Sequence, residues 1–165
     1  MRRLLVALTV IALTVASQSS GAEGAEQKEQ KKETKSPCSL SLSKGWFPLE
    51  QKGSDWWSWT SKRGEVTVSA PKASRLVLHT DLYSLPRPNS VEIDVNGKKI
   101  VTVDIKDWQT SLQPILVELE AGTNVIAFVS SKDAMTQAAD TRPLAVAVKN
   151  MTLNGEGGRA CEFKH

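Results

Sequence analysis

The chain has 165 residues, with 21 Lys+Arg against 18 Asp+Glu and only two histidines and two cysteines. This balance supplies no strong field for nucleic acid or an anionic lipid surface. So few histidines and cysteines, with no C-x-x-C spacing, point away from a metal, cofactor or redox centre.

Met1-Arg2-Arg3 is a short basic start, and Leu4 to Val15 is an apolar run of about twelve residues. That pattern fits a secretory signal and is too short to span a bilayer. Residues 1–22 are therefore expected to be a signal peptide, cleaved after Ala16, Ser17 or Ala22, with an uncleaved anchor as the rival reading. Loss of Arg2 and Arg3 would leave 19 basic residues against 18 acidic ones, a nearly neutral chain.

Residues 23–37 run EGAEQKEQKKETKSP, mix both charge signs and hold Ala25 and Pro37 as their least polar members. Such a segment cannot bury enough apolar surface to offset its ordering entropy, so a solvated linker is expected. Residues 38–165 are then one domain of ordinary size. Cys38 and Cys161 bracket it, and in an exported protein such a pair is expected to form a disulfide.

Leu40 and Leu42 share one face of a first short strand. Gly45-Trp46-Phe47-Pro48-Leu49-Glu50 follows, and Gly53-Ser54-Asp55 turns into Trp56-Trp57-Ser58-Trp59-Thr60, a strand rich in aromatic and hydroxyl residues. Strand alternation splits the indoles, with Trp57 and Trp59 on one face and Trp56 on the other. Trp57 and Trp59 are expected in the core.

Val66 and Val68 mark the next strand. Arg75 to Leu82 follows, with Leu76, Leu78 and Leu82 inward and Arg75, His79 and Asp81 outward. Two prolines make Ser84 to Asn89 an irregular loop. Val91, Ile93 and Val95 alternate with polar residues, and so do Val101, Val103 and Ile105. Asn96-Gly97 between them predicts a hairpin, because a type I′ turn needs positive φ at both central positions.

Trp108 lies in the loop beyond. Ile115 to Leu119 and Asn124 to Ser130 read as a second hairpin, with Val125 to Val129 apolar on both faces and hence central. Ser131 to Arg142 reads as a polar loop. The last strand, Leu144 to Leu153, changes face midway, and a bulge at Lys149-Asn150 restores its register. Eight or nine short strands without helical periodicity predict an all-β sandwich or jelly roll.

The ordered set of Gly45-Trp46-Phe47-Pro48-Leu49-Glu50, Trp57-x-Trp59, Asn96-Gly97, Ala121-Gly122-x-Asn124-x-Ile126 and Asp140-x-Arg142-x-Leu144-x-Val146-x-Val148 resembles a known module. It is similar to the galactose-binding-like, jelly-roll β-sandwich modules of bacterial surface and sugar-processing proteins. The resemblance spans about Leu40 to Leu153. It implies an exported bacterial protein, secreted, periplasmic or at the cell surface, that binds carbohydrate without catalysis.

Indole rings stack on the C–H face of pyranoses, so Trp46, Trp56 and Trp108, at a strand edge or in a loop, are candidate ligand-binding residues. Glu50, Asp140 and Arg142 are candidates for binding hydroxyls or an anion. Their alternative is a structural clamp in which Arg142 pairs with Asp140 or Glu50. Asp133 and Asp140 are the best donors for a structural calcium ion, without ligand spacing to support one. The expected partner is a carbohydrate or an envelope glycan. The alternative is a structural or protein-interaction module whose tryptophans are all internal. No nucleic acid and no membrane span after signal cleavage are expected.

Overall fold

The structure is a computed structural model and describes residues 36–164. The expected signal peptide and residues 23–35 of the expected linker lie outside the described residues.

The chain starts with β1 (Ser39–Leu42), β2 (Glu50–Lys52), β3 (Asp55–Thr60), β4 (Arg63–Ala70) and β5 (Ser74–Ser84). The hairpin of β6 (Asn89–Val95) and β7 (Lys98–Ile105) comes next, then β8 (Gln109–Ser111), β9 (Ile115–Leu119) and β10 (Gly122–Ser130). The last strands are β11 (Met135–Gln137), β12 (Asp140–Leu144), β13 (Val146–Asn154) and, after a 3-10 turn, β14 (Glu162–Phe163).

Among the described residues they form two main sheets. The first is ordered β14-β1-β4-β10-β6-β7 and the second β2-β3-β13-β5-β8, with β9 also on β5. A small β11–β12 pair stands apart.

The core lies between the two main sheets. Leu40, Val66, Val68, Val91, Ile93, Ile126 and Phe128 enter it from the first sheet, and Leu76, Leu78, Leu82, Val117, Val146, Val148 and Leu153 from the second. Each such buried side chain contributes about 1.5–3 kcal/mol of transfer free energy. The alternation expected for β4 and β5 is the one observed. β10 is central, between β4 and β6, which is why its apolar run has no polar face.

The β6–β7 hairpin has its turn at Asn96 (φ 51°) and Gly97 (φ 78°), the positive pair that a type I′ turn requires. The face switch in β13 is a register shift between Lys149 and Thr152, with Asn150 at φ 50°. Cys38 and Cys161 are joined by a disulfide, and β14 pairs in parallel with β1 beside it.

Four expectations give way. β9 and β10 are not a hairpin: β9 pairs with β5 in the second sheet, and β10 pairs with β4 and β6 in the first. Asn124 shapes the crossover, its Nδ2 donating to the Glu120 carbonyl at 2.9 Å and its Oδ1 accepting from the Glu120 N–H at 2.9 Å. Residues 131–142 are not wholly loop, since they hold β11 and the start of β12. The strand count rises because β2, β8 and β14 are too short to show a period.

The fourth correction concerns β3. Ser58 pairs with Val148 and Trp59 with Ala147. Paired residues share a face, and Val148 faces the core, so Ser58 does too. Trp57 and Trp59 therefore face outward, on the side of the second sheet away from the core. Trp59 is still buried, but in a separate small cluster with Leu85, Leu144 and Ala147.

Candidate functional site

The outer face of the second sheet carries Trp59, Ala147, Tyr83 and Gln109 across β3, β13, β5 and β8 in one cross-strand row. Trp57, Lys149, Asp81 and Ser111 form the next row. Ala147 has only a methyl group between two large rings, so the surface dips there.

Trp108 rises beside the dip from the loop before β8. Its ring centroid lies 5.8 Å from that of Trp59 and 5.8 Å from that of Tyr83. Its carbonyl accepts the Ser84 N–H at 3.2 Å, and the Arg87 guanidinium lies 5.5 Å from its ring centroid. The resulting cavity is about 330 Å³, walled by Trp57, Trp59, Tyr83 and Trp108. Lys52, Asp55 and Lys149 supply its polar side.

That polar side is built by the β13 bulge. Asn150, turned into the left-handed region, accepts the Trp56 N–H at Oδ1 (3.0 Å) and donates from Nδ2 to Asp55 Oδ1 (2.8 Å). Lys149 Nζ meets Asp55 Oδ2 at 2.7 Å. Hydrogen bonds from Lys149 and then Asn150 hold the Asp55 carboxyl below its ordinary value. The bond to Asp55 raises Lys149, with smaller contributions from Tyr83. The pair thus stays ionised and presents a donor and an acceptor side by side, next to aromatic faces.

The expected site residues fall into three places. Trp108, 40 % exposed, is in the cavity, so the indoles are not all internal. Trp46 packs on Gly64 and edge-on to Phe128 at 6.1 Å, and its Nε1 donates to the Glu65 carbonyl at 2.8 Å. Trp56 packs against Phe163 at 4.8 Å on the core side of β3.

Glu50, Asp140 and Arg142 come together outside the cavity lining but next to it, since Glu50 pairs with Trp57 across β2 and β3. Arg142 bonds to Asp140 Oδ2 at 2.6 Å and to Glu50 Oε1 at 2.9 Å, with its guanidinium 5.4 Å from the Phe47 ring centroid. This is the clamp geometry, tying β12 to β2. The arginine's hydrogen bonds hold the Asp140 carboxyl below its ordinary value.

Asp133 pairs with Lys62 at 2.9 Å. Among the described residues no group of three or more His, Cys, Asp or Glu side chains is placed to hold a metal ion.

Sequence reasoning missed Trp57, Trp59, Tyr83, Asp55 and Lys149. Tyr83 was legible, because it shares the outward parity of His79 and Asp81. The others depended on the β3–β13 register, which no local pattern encodes.

No protein-family model matches the chain, and no curated protein matches it. Solved structures do. A family 35 carbohydrate-binding module from an environmental isolate superposes with a TM-score of 0.50 at 16 % identity, covering 76 % of this chain and 91 % of that one. The family 35 module of a Cellvibrio japonicus protein gives a TM-score of 0.47 at 15 % identity, covering 76 % and 99 %. The shared fold is a jelly-roll β-sandwich.

Proposed function

We propose that this chain is a non-catalytic carbohydrate-binding module of an exported bacterial protein, and that its ligand site is the aromatic cavity on the outer face of the second sheet. The observation that carries this reading is the grouping of Trp57, Tyr83 and Trp108 around a dip with the Lys149–Asp55 pair at its side. Aromatic faces stack on the C–H faces of a pyranose, and a donor beside an acceptor suits adjacent hydroxyls. The solved module that superposes with a TM-score of 0.50 is described as carbohydrate-binding, which supports the same reading. The disulfide fits an oxidising, extracytoplasmic location.

A glycan array, followed by calorimetric titration of the binding glycan, tests it. Trp57→Ala and Trp108→Ala are expected to weaken binding at least roughly tenfold, or about 1.4 kcal/mol. Trp46→Phe is expected to leave affinity unchanged. Retention of no glycan by the full chain, or wild-type affinity in Trp108→Ala, would overturn the proposal.

A further inference from the structure

The two main sheets have very different outer faces. On the first, Arg63 pairs with Glu65 at 3.0 Å and with Asp94 at 3.5 Å, and Lys99 pairs with Glu92 at 3.0 Å. That face is laced with ion pairs. On the second, the cavity is one end of a longer stripe.

The outward residues of β5 after Tyr83 and Asp81 are His79 and Val77, and β13 sets Thr152 beside His79 and Asn154 beside Val77. His79, Thr152 and Asn154 make no side-chain hydrogen bond among the described residues. Their side chains carry free donors and acceptors, in line with the cavity. From Tyr83 to Val77 the stripe is about 20 Å long at roughly 3.3 Å per residue. Ionic residues close its far end, where Arg75 meets Glu118 at 2.9 Å.

We infer that the ligand is a linear, β-linked, uncharged polysaccharide bound along β5 by the interior of its chain. One sugar occupies the aromatic cavity, and its neighbours lie over His79–Thr152 and Asn154. The inference rests on the carbohydrate reading of the cavity and adds ligand length, shape and charge to it. An extended β-linked chain is a straight ribbon that follows a straight stripe, whereas a coiled α-linked chain leaves it after one or two units. Lys149 is already met by Asp55, and the one further cation of the lining, Lys52, is matched in number by Asp81 on the outward row of β5, so cavity and stripe do not call for an acidic sugar.

The test is calorimetric titration of the full chain with cello-, xylo- and manno-oligosaccharides, each from the disaccharide to the hexasaccharide. In the series that binds, affinity is expected to rise at least roughly tenfold between the disaccharide and the tetrasaccharide and then level off. The double variant His79→Ala/Thr152→Ala, with its fold checked by circular dichroism, is expected to lose that rise while binding the disaccharide normally. Trp57→Ala is expected to weaken every length alike.

Flat affinity across lengths, with Trp57 still required, overturns the chain inference and leaves the carbohydrate reading intact. So does failure of all three series while the array retains a branched, α-linked or acidic glycan. Failure of the array as well overturns both.

Discussion

Trp46 and Trp57 carry the same indole and do opposite work. A Cβ at Gly64 would collide with the Trp46 ring, which shows how closely that ring is packed, whereas Trp57 borders an open cavity. Trp46→Ala is therefore expected to cost about 3–5 kcal/mol in urea unfolding, the range for truncating a packed aromatic side chain to alanine. Glycan affinity of the folded variant should stay at the wild-type value; a loss would place Trp46 in the site after all. The Arg142 clamp makes a second prediction, about acid. Asp140 has a folded-state value lowered below its ordinary 3.8, so its contribution is fully present above that value and is lost as pH falls through the folded one. Melting temperature between neutral pH and about pH 3 should fall more steeply for the wild type than for Asp140→Asn. Parallel curves would show that the clamp adds nothing to stability.

At the scale of elements, the bulge in β13 is the joint on which the candidate site depends. Asn150 holds a positive φ of 50° and binds both the β3 backbone and Asp55. An alanine there strains the left-handed backbone and leaves the Trp56 N–H without its acceptor. The expected loss is about 1–3 kcal/mol. Because Asn150 also orients Asp55, Asn150→Ala should weaken glycan binding as well, whereas Gly97→Ala in the distant β6–β7 turn should lower stability alone. Chemical denaturation and titration of the two variants side by side separate these effects. The bulge was legible from the parity change between Val148 and Met151. The aromatic face of β3 was not, because both of its faces carry indoles. Hydrophobicity assigns Trp57 and Trp59 inward, and only pairing with Val148 shows that Ser58 takes the core side. The expected β9–β10 hairpin failed for a related reason. Two apolar runs joined by a Gly-containing turn look alike whether they pair with each other or cross between sheets.

For the whole molecule, the disulfide closes a loop of 123 residues and ties β1 to the tail beside β14. In the chain-entropy model that closure stabilises by about 5 kcal/mol, and engineered cross-links often deliver less. Cys38→Ser/Cys161→Ser is expected to lose roughly 3–5 kcal/mol in denaturant unfolding, while glycan affinity at low temperature is retained, since both cysteines lie on the core side, away from the cavity. A variant as stable as the wild type would show that strand pairing alone holds the ends.

The sequence by itself determined the all-β class, the parity of β4, β5 and β6, the Asn96-Gly97 turn, the bulge and the cysteine pairing, because each rests on neighbours in the chain or on a count of two. The tertiary structure alone decided which sheet face the tryptophans occupy, that Glu50, Asp140 and Arg142 clamp one another, and that Tyr83, Trp108, Asp55 and Lys149 meet around one cavity. Those outcomes depend on the register between strands far apart in the chain. A shift of one residue there exchanges the buried and exposed faces without changing any local pattern.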